Sequence, residues 1–367
     1  MANPILCSNP RLQFLAQKQE ITDSILRVMN SDSYILGSEV SGFEEEFAAY
    51  VGVTQCIGVN SGTDSIILGL KALGITNGDE VITPSHTAVA TVAAIVASGA
   101  TPVFADIDPI SFTLDPNSVR EAITANTKAV IAVHLYGHPC DMDSLMQLTN
   151  DHGLFLIEDC SQAHGAKWRN RNVGTFGILA CFSFYPTKNL GAIGDGGAVV
   201  TNNLDLANVI RQLRQYGWDS QRQAQVQSQV SRLDEIQAAI LRVKLVKLDL
   251  ANAKRRNIAA SYSSRLQHVD LRLPTSNPNA EHVFHLYVIQ IKNRDKIIAK
   301  LNSQDIYPGI HYQTPVHLHP AYKALESSGK SKLRVTENIQ STILSLPMYP
   351  ELSEAEIDRV CEGVLSV

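Results

Sequence analysis

The chain has 367 residues, of which 44% are hydrophobic and 18% charged, with a formal net charge of -5. That length suits one large domain with a well-buried core and a smaller second one. Charges of the two signs are mixed, so nothing marks a nucleic-acid or membrane partner, and an anionic ligand must be held by a local site. The six cysteines (Cys7, Cys56, Cys140, Cys160, Cys181, Cys361) form no Cys-x-x-Cys pair and read as reduced thiols. The first residues, MANPILCSNP, lack a basic stretch followed by an apolar core, and the longest apolar run, Ala88 to Ala97, is about half of what a membrane span needs. A cytoplasmic protein is expected.

From residue 55 to 200, short apolar runs alternate with helical patterns, which is the signature of parallel strands joined by right-handed crossovers. The strands are expected at 56–59, 80–83, 102–105, 129–135, 153–158, 180–184 and 197–201. Helices are expected between them, as at 63–73 and 141–151. The fold class is therefore α/β, a large, mixed but mostly parallel sheet with helices on both faces. The stretch QRQAQVQSQVS (221–231) reads as a loop. A long helix should follow it, with Leu233, Ile236, Ile240, Val243 and Leu250 at helical spacing, Ser231 as cap and Asp234 as first-turn acid. Beyond residue 251 the pattern turns α+β, with a strand-like run at 282–291, a helix near 295–302 and a final helix after Pro350. The chain is thus expected to divide into a large domain, 1–250, and a small C-terminal one, 251–367.

In an open parallel sheet, ligands gather at the carboxyl ends of the strands. Asp159 ends the run GLFLIED and would put a carboxylate at that rim. Lys188 follows the next strand, in SFYPTKNLGAIGDGG, where burial would lower its pKa to suit a Schiff-base amine and proton shuttle. Ser61, Gly62 and Thr63 open a helix directly after the first strand and form an anion site from backbone N–H groups and the helix dipole. Ser183 could add a hydroxyl to the same anion, while Gln162 and His164 follow Asp159 closely enough to reach a bound ring. Taken one at a time, each of these residues is equally well explained by capping or packing. Together, an amine, a carboxylate and an anion site around one crevice are what pyridoxal phosphate needs: the carboxylate keeps the ring nitrogen protonated and the ring acts as an electron sink.

Two histidine groups, His134/His138/Cys140 and His311/His317/His319, are broken by prolines and lack a compact helical H-x-x-x-H with a partner acid, so no metal is expected. No G-x-S-x-G elbow is present for serine catalysis.

The tracts SGTDS, PSHTAVAT, IEDCSQAHGA, FSFYPTKNLGAIGDGGAVVT, SRLDEIQAAIL, HYQTPVHLHPAY and ILSLPMYPELS, in this order along the chain, resemble the DegT/DnrJ/EryC1/StrS family of sugar aminotransferases. The resemblance implies fold type I of the pyridoxal 5'-phosphate enzymes and a homodimer with active sites at the subunit interface. It assigns the Schiff base to Lys188 and the ring-nitrogen contact to Asp159. Gln162 would hold the phenolic oxygen; Ser183, Gly62 and Thr63 would hold the phosphate. L-Glutamate would be the amino donor and a nucleotide-linked keto-sugar the acceptor, with His311, Tyr312 and Tyr185 facing the sugar. The tract RQYGW (214–218) looks like the branch that aminates carbon 3 of a dTDP-linked keto-6-deoxyhexose. Near the following loop, Arg214, Arg222 and Arg232 are candidate cations for the diphosphate.

The chain departs from the family pattern at two positions. Val230 stands where members usually carry an asparagine that reaches the partner's cofactor phosphate, with Gln229 as a substitute. Ala88 stands where many carry an aromatic residue that stacks on the ring, which leaves His86 as the candidate cover. The competing expectations are amination at carbon 4, another fold type I reaction such as desulfuration, and a non-catalytic sugar-nucleotide-binding regulator. No cysteine lies on an electropositive loop as a desulfurase nucleophile would.

Overall fold

The computed structural model describes residues 4–268, 270–275, 277–328 and 332–366. Its central sheet has seven strands: β1 (Gln55–Val59), β2 (Glu80–Pro84), β3 (Thr101–Ala105), β4 (Thr127–Val133), β5 (Phe155–Asp159), β6 (Leu179–Ser183) and β7 (Gly197–Thr201). Their order across the sheet is β1-β7-β6-β5-β4-β2-β3. Neighbours run parallel from β6 to β3, whereas β7 is antiparallel to both β6 and β1. The sheet is therefore mixed at β7: residues 184–196, which join β6 to β7, form turns rather than a helix, so the chain reverses instead of crossing back along the sheet.

The strands read as continuous apolar runs because both faces of the sheet are covered. On β6, Leu179 and Cys181 face Ile66 and Leu70 of the helix α2 (Gly62–Ala72), while Ala180 and Phe182 face Phe43 and Phe47 of the helix α1 (Ser38–Val51). Alternation with period two divides one strand between two cores. A third core joins β2, β3 and β4 to the helix α3 (Met142–His152) through Ile82, Val103, Val130 and Leu145.

The region after the Gln/Ser-rich loop differs from expectation. Instead of one long helix there are two, α4 (Glu235–Leu245) and α5 (Leu248–Leu266). Asp234 is the N-cap, not a first-turn acid. Ser231 is not the cap; its hydroxyl is taken up in accepting the Asn60 N–H at 3.2 Å and donating to Asp64 at 2.7 Å. Leu250 is largely exposed and lies on α5, whose buried face carries Leu248, Asn252, Arg255, Ile258, Ala259, Tyr262 and Leu266. The first residue of α4, Glu235, accepts hydrogen bonds from the N–H groups of Gly37, Glu39 and Val40 and so caps the start of α1.

Beyond α5, a second sheet of three antiparallel strands, β8 (Leu271–Arg272), β9 (Tyr287–Ile291) and β10 (Ile343–Leu346), packs its own core against α5 and the C-terminal helix α6 (Glu354–Leu365). Only the second half of the run at 282–291 is strand. Ile5 belongs to this core too, because Ile5–Leu6 pairs in parallel with Ile306–Tyr307. No helix among the described residues is long and apolar enough to cross a membrane.

Candidate active site

At the carboxyl rim of β1, β4, β5 and β6 lies a cavity of about 220 Å³. Its wall includes Ser61, Gly62, Thr63, Asp159, Gln162, Ser183, Tyr185 and Lys188, so eight of the residues selected from the sequence meet in one place. Thr91, Ser161, Asp195 and Ala88 line it as well.

The end of β1 builds the anion-binding part. Ser61 caps α2 by accepting the Asp64 N–H, and the first-turn N–H groups of Gly62 and Thr63 have no carbonyl within the helix to bond. Residue 62 must be glycine, since a Cβ there would lie 2.6 Å from Cβ of Ser183. The missing side chain lets Ser183 stand beside the helix start.

Asp159, the last residue of β5, is 4% exposed. Thr91 Oγ1 donates to its Oδ2 at 2.8 Å and the Ser161 N–H to its Oδ1 at 3.1 Å. These two donors fix the plane of the carboxylate and leave its remaining lone pairs toward the cavity.

Lys188 sits on the turn after β6, with its own N–H bonded to the Tyr185 carbonyl at 2.8 Å. The turn is tight. A Cβ on residue 191 would lie 2.5 Å from the Pro186 oxygen, and the buried Lys244 ammonium bonds the Gly191 carbonyl. The neighbouring Asn189 bonds Asn252 at 2.9 Å and the Val283 carbonyl at 3.1 Å, which anchors the turn to α5. Burial pushes the Lys188 amine down to about 8, against the opposing pull of Asp159.

Other residues selected from the sequence fall elsewhere. His86 does not line the cavity. It is fully buried behind the wall, edge-on to Tyr136 and Phe112, with Nε2 2.6 Å from the Tyr136 hydroxyl. The β2 exit turns Thr87 and Ala88 toward the cavity and His86 away from it. His164 is likewise packed between Phe182 and Phe184. Gln162 is on the wall, but its amide donates to the Tyr312 hydroxyl at 3.0 Å. His311 and Tyr312 thus stand just behind the wall, and burial together with the Lys188 charge pushes His311 down to about 4. Arg214 is buried in an ion pair with Glu44, and Arg222 and Arg232 lie over the Trp218 and Tyr216 rings. Val230 and Gln229 are exposed.

The residues that sequence reasoning missed are Thr91 and Tyr136. Thr91 was visible inside PSHTAVAT, but its partner Asp159 lies 68 positions away. Tyr136 has a left-handed backbone (φ 60°, ψ 2°) that no spacing signals for an aromatic residue.

The histidines of both candidate metal groups are engaged individually. His317 bonds Ser85, His319 the Thr314 carbonyl and His311 Ser345. His134, Glu158 and Cys160 bring their ligand atoms within 4.8 Å of one another, but His134 bridges Glu158 and the Cys140 N–H.

The model of the DegT/DnrJ/EryC1/StrS aminotransferase family matches residues 16–365. A dTDP-3-amino-3,4,6-trideoxy-alpha-D-glucose transaminase of Streptomyces venezuelae is 45% identical over 363 residues, covering 97% of this chain and 96% of the relative. The erythromycin biosynthesis sensory transduction protein EryC1 of Saccharopolyspora erythraea is 46% identical over 348 residues, 95% of each chain. Among solved structures, S. venezuelae DesV in complex with a ketimine intermediate matches with a TM-score of 0.96 at 43% identity, covering 100% of this chain and 98% of that one.

Proposed function

The chain belongs to the DegT/DnrJ/EryC1/StrS aminotransferase family, and from that premise we propose that it transfers an amino group from L-glutamate to carbon 3 of a dTDP-linked keto-6-deoxyhexose, with pyridoxal 5'-phosphate as cofactor. The observation that carries this reading is the single cavity that joins Lys188, Asp159, Ser183 and the α2 start. The donor set suits the cofactor: a side-chain-free cradle of N–H groups for a phosphate, a carboxylate for a ring nitrogen and an amine on the same cavity wall. When bound, pyridoxal phosphate supplies the electron sink for breaking a bond at the amino-bearing carbon.

The protein's own residues do the rest. Gly62, Thr63 and Ser183 hold the phosphate, and Asp159, oriented by Thr91 and Ser161, keeps the ring nitrogen protonated. Lys188 carries the cofactor and moves the proton. With its pKa near 8, about one amine in ten is neutral at pH 7, against a negligible fraction for an unperturbed lysine. Gln162 lies within reach of the phenolic oxygen. Tyr185, 52% exposed on the wall, offers a ring to the sugar. Ala88 lines the cavity where many members carry a ring-stacking aromatic residue, and His86, off the cavity wall, would not take that place.

The active form is a homodimer in this reading. Tyr185, Val89, Ile193 and Val230 are exposed apolar side chains, and Tyr185 lines the cavity while Val89 lies between the lining residues Ala88 and Ala90, the setting a second subunit would cover. All six cysteines are free, which suits the cytoplasm. The relative called a sensory transduction protein favours a second reading, a regulator that binds the sugar nucleotide without turnover, yet the complete polar set around Lys188 supports catalysis. Incubation with glutamate and a panel of dTDP-linked 3-keto and 4-keto sugars, followed by mass and NMR analysis, should give a 3-amino sugar. Amination at carbon 4 alone would overturn the position, and binding without amination would favour the regulator.

A further inference from the structure

Resting on the reading above, we propose that Tyr136 is a positioning residue that sets the His311–Tyr312 pair against the active-site wall for the keto-sugar, with His86 holding its hydroxyl from behind. Three hydrogen bonds tie Tyr136 to Gln162, His311 and His86. Its N–H donates to Gln162 Oε1 at 2.7 Å, its hydroxyl donates to the His311 carbonyl, and its hydroxyl oxygen lies 2.6 Å from His86 Nε2. The Gln162 amide, held in place by that first bond, donates in turn to the Tyr312 hydroxyl at 3.0 Å. One residue therefore governs both members of the pair: His311 directly and Tyr312 through Gln162. On its far side His311 Nδ1 is 2.9 Å from the Ser345 hydroxyl on β10, so the pair is held between the two sheets.

The proton count fixes the direction of this chain. A tyrosine hydroxyl has one proton, and the His311 carbonyl can only accept, so that proton points at His311. His86 must then donate from Nε2, which leaves Nδ1 as the bare nitrogen of a neutral ring. The structure agrees, since Nδ1 of His86 is buried with no partner and burial pushes the imidazole down to about 4. A histidine that covered the cofactor or acted as an acid would not be locked in this way.

The backbone supports the same assignment. Tyr136 is left-handed, a conformation that is unfavourable for a bulky residue and persists where surrounding contacts impose it. Here the Gln162 acceptor and the Leu286 N–H, which donates to the Tyr136 carbonyl at 3.3 Å, hold it in place. The side chain is 3% exposed and does not line the cavity, so it acts on the sugar only through the residues it places.

Steady-state kinetics on the holoenzyme test the idea. Tyr136→Phe keeps the ring and the backbone bond but loses the hydroxyl; KM for the keto-sugar should rise about tenfold, with the glutamate half-reaction within about twofold of the parent. His86→Gln retains an N–H donor and should keep a near-parent KM, whereas His86→Leu should reproduce the Tyr136→Phe defect; this pair decides the question if Tyr136→Phe is not recovered folded. Unchanged KM in Tyr136→Phe, or equal defects in the two His86 variants, would overturn the proposal while wild-type turnover keeps the functional reading. A wild-type protein that aminates no keto-sugar would remove both.

Discussion

Glu158 and Asp159 are adjacent on β5, both buried, and point to opposite faces of one sheet. Glu158 is fully occupied: the N–H groups of Gly174, Phe176 and Gly177 donate to it at 2.7, 2.7 and 2.8 Å, and His134 Nε2 at 3.1 Å. Asp159 has two donors and an open cavity in front of it. A buried carboxylate whose every lone pair is used holds a fold together, whereas one left partly free on a cavity wall is available for chemistry. The same contrast separates two lysines. Lys244 is pushed down to about 7 by burial, further than Lys188, but its ammonium is spent on Gln13 and Gly191 beneath the Phe14 ring. Perturbation of a titratable group thus marks burial, and the open side of the group marks function.

Variants on the two faces should separate cleanly. The largest effect is expected from Lys188→Ala, which should lower kcat at least about a thousandfold while leaving thermal stability near the parent's. Glu158→Gln should do the reverse: an amide NH₂ would face a backbone donor in a dry site and cost about 3 kcal/mol in urea denaturation, with kcat of the folded enzyme within about twofold. A third test uses pH. Capture of pyridoxal phosphate by apoprotein requires neutral Lys188, and below its pKa the neutral fraction falls about tenfold per unit. The capture rate, followed by absorbance, should therefore rise with pH and level off above about 8; a rise that continues to pH 10 would mean an unperturbed amine. The smallest effect is expected from Thr91→Val, about fivefold in kcat, because Asp159 keeps the Ser161 N–H.

The positions of the seven sheet strands were legible because each is an apolar run buried on both faces, and the strand ends located Asp159, Ser183 and the α2 start. Directions were less legible. Nothing in GAVVT distinguishes an antiparallel β7 from a parallel strand, since both are equally apolar. Local polar chemistry misled where a side chain had a distant partner. Ser231 looks like a helix cap but serves Asn60 and Asp64, and Arg214 looks like a diphosphate ligand but is buried against Glu44. His86 failed for a geometric reason: the β2 exit turns Thr87 and Ala88 toward the cavity and His86 away, and sequence does not say which residue of a strand exit will turn away. The Tyr136 linkage joins residues 50 and 175 positions apart, beyond the reach of any pattern.

The competing lysines also supply the most direct test of the central claim, that Lys188 carries the cofactor. Holoprotein prepared with pyridoxal phosphate is reduced with borohydride, digested and mapped by mass spectrometry. The added mass should fall on the peptide containing Lys188; its appearance on Lys244, or on no lysine at all, would contradict the account.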